Sequence, residues 1–104
     1  LHIDLKYANK TKFKKNVVVG TYLISLAVGM SVNDITMNSI AALEYREITH
    51  YYPVFIGDTI YAKTIILDKL KKKNNKGILI YKTVLTNQNN KKILSMIRSN
   101  LFKL

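Results

Sequence analysis

Residues 21–31 read TYLISLAVGMS, and this stretch decides the fold. Tyr22, Leu23, Ile24, Leu26, Ala27, Val28 and Met30 leave no polar face on a helix of 3.6 residues per turn. A helix that is apolar all round is a buried helix, so the pattern predicts one surrounded by other structure. Gly20 stands just before it, and Asn33 with Asp34 ends it. The apolar region 17–32 does not read as a membrane span. It is short of the roughly twenty residues a bilayer needs, and two glycines, Thr21, Tyr22, Ser25 and Ser31 interrupt it.

Downstream of Ser39 the texture changes to strands. Residues 40–52 form the first, and Pro53 with Gly57 and Asp58 breaks it. Residues 59–70 follow, rich in β-branched side chains. Residues 71–76, KKKNNK, read as a charged hairpin loop. Residues 77–86 and 92–102 make a further pair joined through an Asn- and Gln-rich turn. Short polar connections make antiparallel neighbours. We therefore expect an α+β domain with helices first and about four long antiparallel strands after. One apolar helix is buried only if the sheet curves around it. That is the logic of the hot-dog fold, an antiparallel sheet wrapped around a central apolar helix.

Composition narrows the class. With 104 residues and 48% hydrophobic content, the chain fits one small globular domain spanning 1–104. It has no cysteine, which excludes disulfides, zinc–thiolate sites and thiol nucleophiles and suits a reducing cytoplasm. Two histidines are too few for a histidine-rich metal site. The net charge of +11 allows an anionic partner. Lysine outnumbers arginine fifteen to two, however, and phosphate-selecting proteins often rely on the arginine fork. A biased lysine-rich composition accounts for the charge more simply. We expect no signal peptide.

The chemistry-bearing residues cluster at the start. Asp4 caps a short helix over 5–10, with His2 just before it. Lysines over 12–15 make a solvated turn. Histidine exchanges protons near neutrality, and a helix start at Gly20 offers unpaired N–H groups and a positive dipole end. The chain opens on Leu1 rather than Met, inside this motif, so we expect an N-terminal strand to be missing.

His2, Asp4, Ala8, Phe13, Val18 and Gly20, followed by Leu23, Ser25, Leu26 and Gly29, resemble the motif of the MaoC-like dehydratases, which include the (R)-specific enoyl-CoA hydratases. A second block, PVFIGDT over 53–59, resembles that family's turn between two strands. The resemblance covers nearly the whole chain. It implies syn hydration of a trans-2-enoyl thioester, with an Asp and a His activating one water. His2 takes the His position. The Asp would lie five residues before it, upstream of Leu1. Gly20 takes the position whose backbone N–H binds the thioester oxygen. The resemblance also implies an acyl-CoA or acyl-carrier-protein substrate, a homodimer or higher homo-oligomer, and a cytoplasmic setting. It implies no nucleic acid or membrane partner, and no metal or cofactor beyond coenzyme A within the substrate. Val19 stands where the family often has His, Val28 where it commonly has Ser, and Lys14 where it usually has Gly. The two valines make the pocket more apolar.

Other readings stay beside this one. A non-catalytic hot-dog module that binds acyl thioesters fits the same pattern. A thioesterase usually carries a carboxylate on or near the central helix, and residues 21–32 have none. His50, beside Tyr51 and Tyr52, reads as a structural or partly exposed strand residue. Lys71, Lys72 and Lys73 could meet coenzyme A phosphates but read better as a solvated hairpin tip. Tyr45, Tyr51, Tyr52, Tyr61 and Tyr81 are ordinary sheet residues rather than a base-stacking platform.

Overall fold

The computed structural model describes residues 17–31 and 39–103. His2, Asp4, the expected helix over 5–10 and the basic turn over 12–15 lie outside the described residues. Helix α1 spans Gly20–Met30. Four strands follow: β1 (Ser39–His50), β2 (Ile60–Lys72), β3 (Lys76–Asn87) and β4 (Lys92–Lys103). They form one antiparallel sheet in the order β1-β4-β3-β2. No helix among the described residues is long and apolar enough to cross a membrane.

The two hairpins turn on asparagine. The expected six-residue basic loop is shorter than predicted, because β2 runs on to Lys72 and β3 begins at Lys76. Asn74 and Asn75 make this possible with φ of 64° and 57°, a left-handed conformation asparagine tolerates. In the β3–β4 turn, Asn90 has φ 60°. The Asn87 Oδ1 there accepts from the Asn89 and Lys91 backbone N–H groups at 2.9 and 3.1 Å.

The PVFIGDT block is a tight turn. Gly57 takes φ 97°, the Asp58 N–H donates to the Phe55 carbonyl at 3.1 Å, and the Phe55 N–H donates to Asp58 Oδ2 at 2.9 Å. The turn also holds the segment leading into α1. Val18 donates its N–H to the Val54 carbonyl at 2.7 Å, and Val17 bridges to Phe55.

Strands β3 and β4 carry the core. Leu23 and Ala27, four residues apart on one side of α1, pack with Val54, Leu85, Ile93, Leu94 and Met96. The helix is not buried all round as the sequence predicts. Tyr22 is 59% exposed and Met30 38%. The sheet meets only one side of α1, so the opposite side faces outward in a single chain. The outer strands behave alike: Ile40, Leu43 and Ile48 of β1 and Ile65, Leu67 and Leu70 of β2 are exposed. Replacing a fully buried core side chain leaves a cavity as well as losing transfer energy. Leu85→Ala should therefore lower unfolding stability by about 2–5 kcal/mol in urea titration, whereas Ile56→Ala, in an 83% exposed turn position, should change it by less than about 0.5 kcal/mol.

Candidate active site

The N-terminus of α1 has no cap. Val19 holds the N-cap position in an extended conformation (φ −59°, ψ 129°) and makes no side-chain cap bond, and the first turn has no acidic residue. The Tyr22 N–H donates to the Val19 carbonyl at 3.1 Å. The N–H groups of Gly20 and Thr21 have no carbonyl partner within the helix, as geometry requires of a first turn. The positive end of the helix dipole lies there too. This end of the molecule can receive an oxygen that carries negative charge.

A β-bulge brings a histidine to the same place. In the β1–β4 ladder, Arg46 pairs with Ile97 and Thr49 with Ser95, so Glu47 and Ile48 together oppose Met96. Glu47 has φ 51°, the conformation through which a strand absorbs an extra residue. Strict alternation from Tyr45 would send His50 to the face away from the helix. The inserted residue flips it, and His50 pairs with Leu94 on the helix face. Its ring lies so close to Gly20 that a Cβ there would sit 3.1 Å from Cε1, 3.5 Å from Nε2 and 3.6 Å from Nδ1. Gly20 shows no positive φ, so what glycine provides here is room for the ring and not an unusual turn.

Val17, Val18, Gly20, Leu23, His50 and Tyr52, with Tyr51, Pro53 and Val54, line a cavity of about 310 Å³. No described carboxylate lines it. His50 reads from sequence as a strand residue with no special role. No local signal marks the bulge that brings it to Gly20. The other expected site residue, His2, lies outside the described residues.

The remaining residues singled out in the sequence are dispersed. Lys71 pairs with Gly77, whereas the row of His50 and Leu94 continues through Leu85 to Ala62. Nine residues of β2 separate the two rows, about 30 Å along a strand. The tyrosines form no single platform. Tyr81 is fully buried; burial pushes its phenol up, partly offset by the Arg98 charge. The Tyr51 hydroxyl instead bonds Ser95 Oγ at 2.9 Å, and this bond holds its phenol below the ordinary value.

The other end of α1 is held by an unexpected residue. Arg98 is 1% exposed. Its Nη1 donates to Ser31 Oγ at 2.7 Å, and Ser31 Oγ donates to the Val28 carbonyl at 2.9 Å. The guanidinium lies 4.9 Å from the Tyr81 ring and 5.7 Å from the Tyr45 ring. A cation here complements the negative end of the helix dipole.

The family model described as "MaoC like domain" matches residues 1–88. The chain is 34% identical over 70 residues to a beta-methylmalyl-CoA dehydratase of Chloroflexus aurantiacus, covering 67% of this chain and 20% of that protein. It is 36% identical over 75 residues to a mesaconyl-CoA hydratase of Cereibacter sphaeroides, covering 70% of this chain and 22% of that one. The chain thus spans about a fifth of the length of these curated relatives. A Mycobacterium tuberculosis protein with a double hot-dog fold superposes with a TM-score of 0.88 at 18% identity, over 99% of this chain and 33% of its own. The fold is therefore the hot-dog fold.

The contact between residues 20 and 50 yields a test. Gly20→Ala asks the exposed His50 ring to give by a few tenths of an ångström, so it should destabilise the protein by about 1 kcal/mol at most. A second substitution, His50→Ala, should recover part of that loss, so that a double-mutant cycle in thermal unfolding gives a coupling of at least about 0.5 kcal/mol.

Proposed function

The chain belongs to the MaoC-like domain family, and on that premise we propose that it adds water to a trans-2-enoyl thioester and, in reverse, dehydrates the 3-hydroxyacyl thioester. The observation that carries the reading is the uncapped start of α1 at Gly20, opening beside His50 into a cavity of about 310 Å³. The curated relatives are named for coenzyme A thioesters, which supports an acyl-CoA substrate here; acyl-carrier-protein thioesters present the same reacting group.

The chemistry follows from the charge that develops. A base takes a proton from water, and the water oxygen bonds to Cβ of the enoyl group. The π electrons move through Cα to the thioester oxygen, which becomes an enolate oxygen. Cα then takes a proton, giving the 3-hydroxyacyl thioester. The Gly20 N–H, with the helix dipole behind it, faces the oxygen that gains charge. Such a donor acts most strongly in the transition state, where the charge is largest. His2 is the proposed acid/base that moves these protons, partnered by an Asp five residues upstream of it. Coenzyme A is part of the substrate, and the scheme needs no metal or separate cofactor.

The proposed assembly is a homodimer. The exposed apolar side chains along edge strands β1 and β2 support pairing of copies through a sheet edge, since an exposed edge otherwise invites uncontrolled association.

The full-length gene product should deplete the enoyl absorbance of crotonyl-CoA. His2→Ala should lower kcat by about 10²-fold or more, the scale of a general acid–base. Proline is tolerated at the first helical position but has no N–H. Gly20→Pro should therefore lose about 10²–10³ in kcat, well beyond Gly20→Ala, which keeps the donor. Equal rates for His2→Ala and parent would remove the role given to His2. An inactive parent that still binds butyryl-CoA would identify the protein as a thioester-binding module.

A further inference from the structure

We propose that His50 is a substrate-contacting residue that supplies a second N–H donor to the thioester oxygen, beside the backbone N–H of Gly20. The inference rests on the thioester reading of the cavity and adds a residue to it. Three observations carry it. The imidazole turns its Nδ1–Cε1–Nε2 edge toward Gly20, with both nitrogens 3.5–3.6 Å from where a Cβ of residue 20 would be. That position lies off the first turn of α1, because Cα–Cβ bonds tilt toward a helix N-terminus. The polar edge of the ring therefore occupies the region the unpaired helix N–H groups face.

The second observation is that the ring is uncommitted among the described residues. His50 is exposed in the chain and lines the cavity. No side-chain hydrogen bond joins it to another described residue. A neutral imidazole carries one N–H donor and one acceptor whichever tautomer it adopts, and a protonated one carries two donors. Either form can place an N–H toward the oxygen.

The third is that the fold departs from a regular strand to place it. The left-handed φ of 51° at Glu47 is costly for a non-glycine residue. Its effect is to move His50 from the outer face of the sheet to the helix face. Of the other cavity-lining residues, Val17, Val18, Leu23, Pro53 and Val54 are apolar, the Tyr51 hydroxyl is engaged with Ser95 Oγ, and Tyr52 carries the remaining side-chain hydroxyl. Oxyanion stabilisation commonly uses two donors converging on one oxygen. Gly20 and His50 approach from the helix and from the sheet.

The test separates the imidazole's donor from its volume. His50→Phe keeps a ring against Gly20 and removes the donor. His50→Gln keeps an N–H and removes the ring. Circular dichroism and thermal unfolding establish that each full-length variant folds. With crotonyl-CoA, His50→Phe should lose about 10²-fold in kcat, the scale of one oxyanion donor, with KM changed less than threefold. His50→Gln should stay within about tenfold of the parent. The opposite order, Phe near parent and Gln impaired, would assign the ring to packing and overturn the proposal. Phe and Gln both at the parent rate would overturn it as well.

A second readout keeps the two inferences apart. Butyryl-CoA cannot be hydrated, and titrating it should shift the His50 ring ¹⁵N resonances. A parent without hydratase activity whose His50 resonances shift, and whose His50→Phe variant binds butyryl-CoA more weakly, would end the hydratase reading and keep the contact. Unshifted resonances on saturation would end the contact. A parent that neither turns over crotonyl-CoA nor binds butyryl-CoA would overturn both.

Discussion

The site depends on how one short helix is held against two strands. Only Leu23 and Ala27 of α1 are buried, and their packing on Leu85, Leu94 and Met96 fixes the helix over the middle of the sheet. Both ends are then pinned by polar contacts. The Val18 N–H to Val54 carbonyl bond ties the entry to the PVFIGDT turn. Arg98 ties the exit through Ser31. An eleven-residue helix is marginal alone. Held this way, it presents the unpaired donors of its first turn at one fixed place.

The unbalanced burial of the chain has a common cause. The helix extends about 16 Å at 1.5 Å per residue, whereas strands of twelve or thirteen residues extend about 40 Å. One helix cannot cover such a sheet. Apolar residues therefore stay exposed on β1, β2 and the outer side of α1.

Arg98 is the least expected member of the core. Its guanidinium is desolvated, and its contacts among the described residues are hydroxyls and aromatic faces, with no carboxylate. Its Nε has no partner among the described residues. The stacked rings and the negative end of the helix dipole offset part of the desolvation cost. As one of only two arginines, it was visible in the sequence, but its depth was not. Alternation places it on a face of β4 without saying that Ser31 would close over it.

The local pattern of this chain determined much of its architecture. A run of apolar residues after Gly20, β-branched stretches, and turns rich in asparagine each act over a few residues, so helix, strands and hairpins are legible without a structure. The resemblance carried by residues 2–29 and 53–59 rests on the same local spacing, and the family model matches residues 1–88. The tertiary structure alone decided which side of the helix is buried, that Arg98 anchors its far end, and that His50 meets Gly20. These are consequences of register. One extra residue at Glu47 turns every later side chain of β1 to the opposite face, and only the paired strand, fixed by long-range hydrogen bonds, reveals where that residue sits.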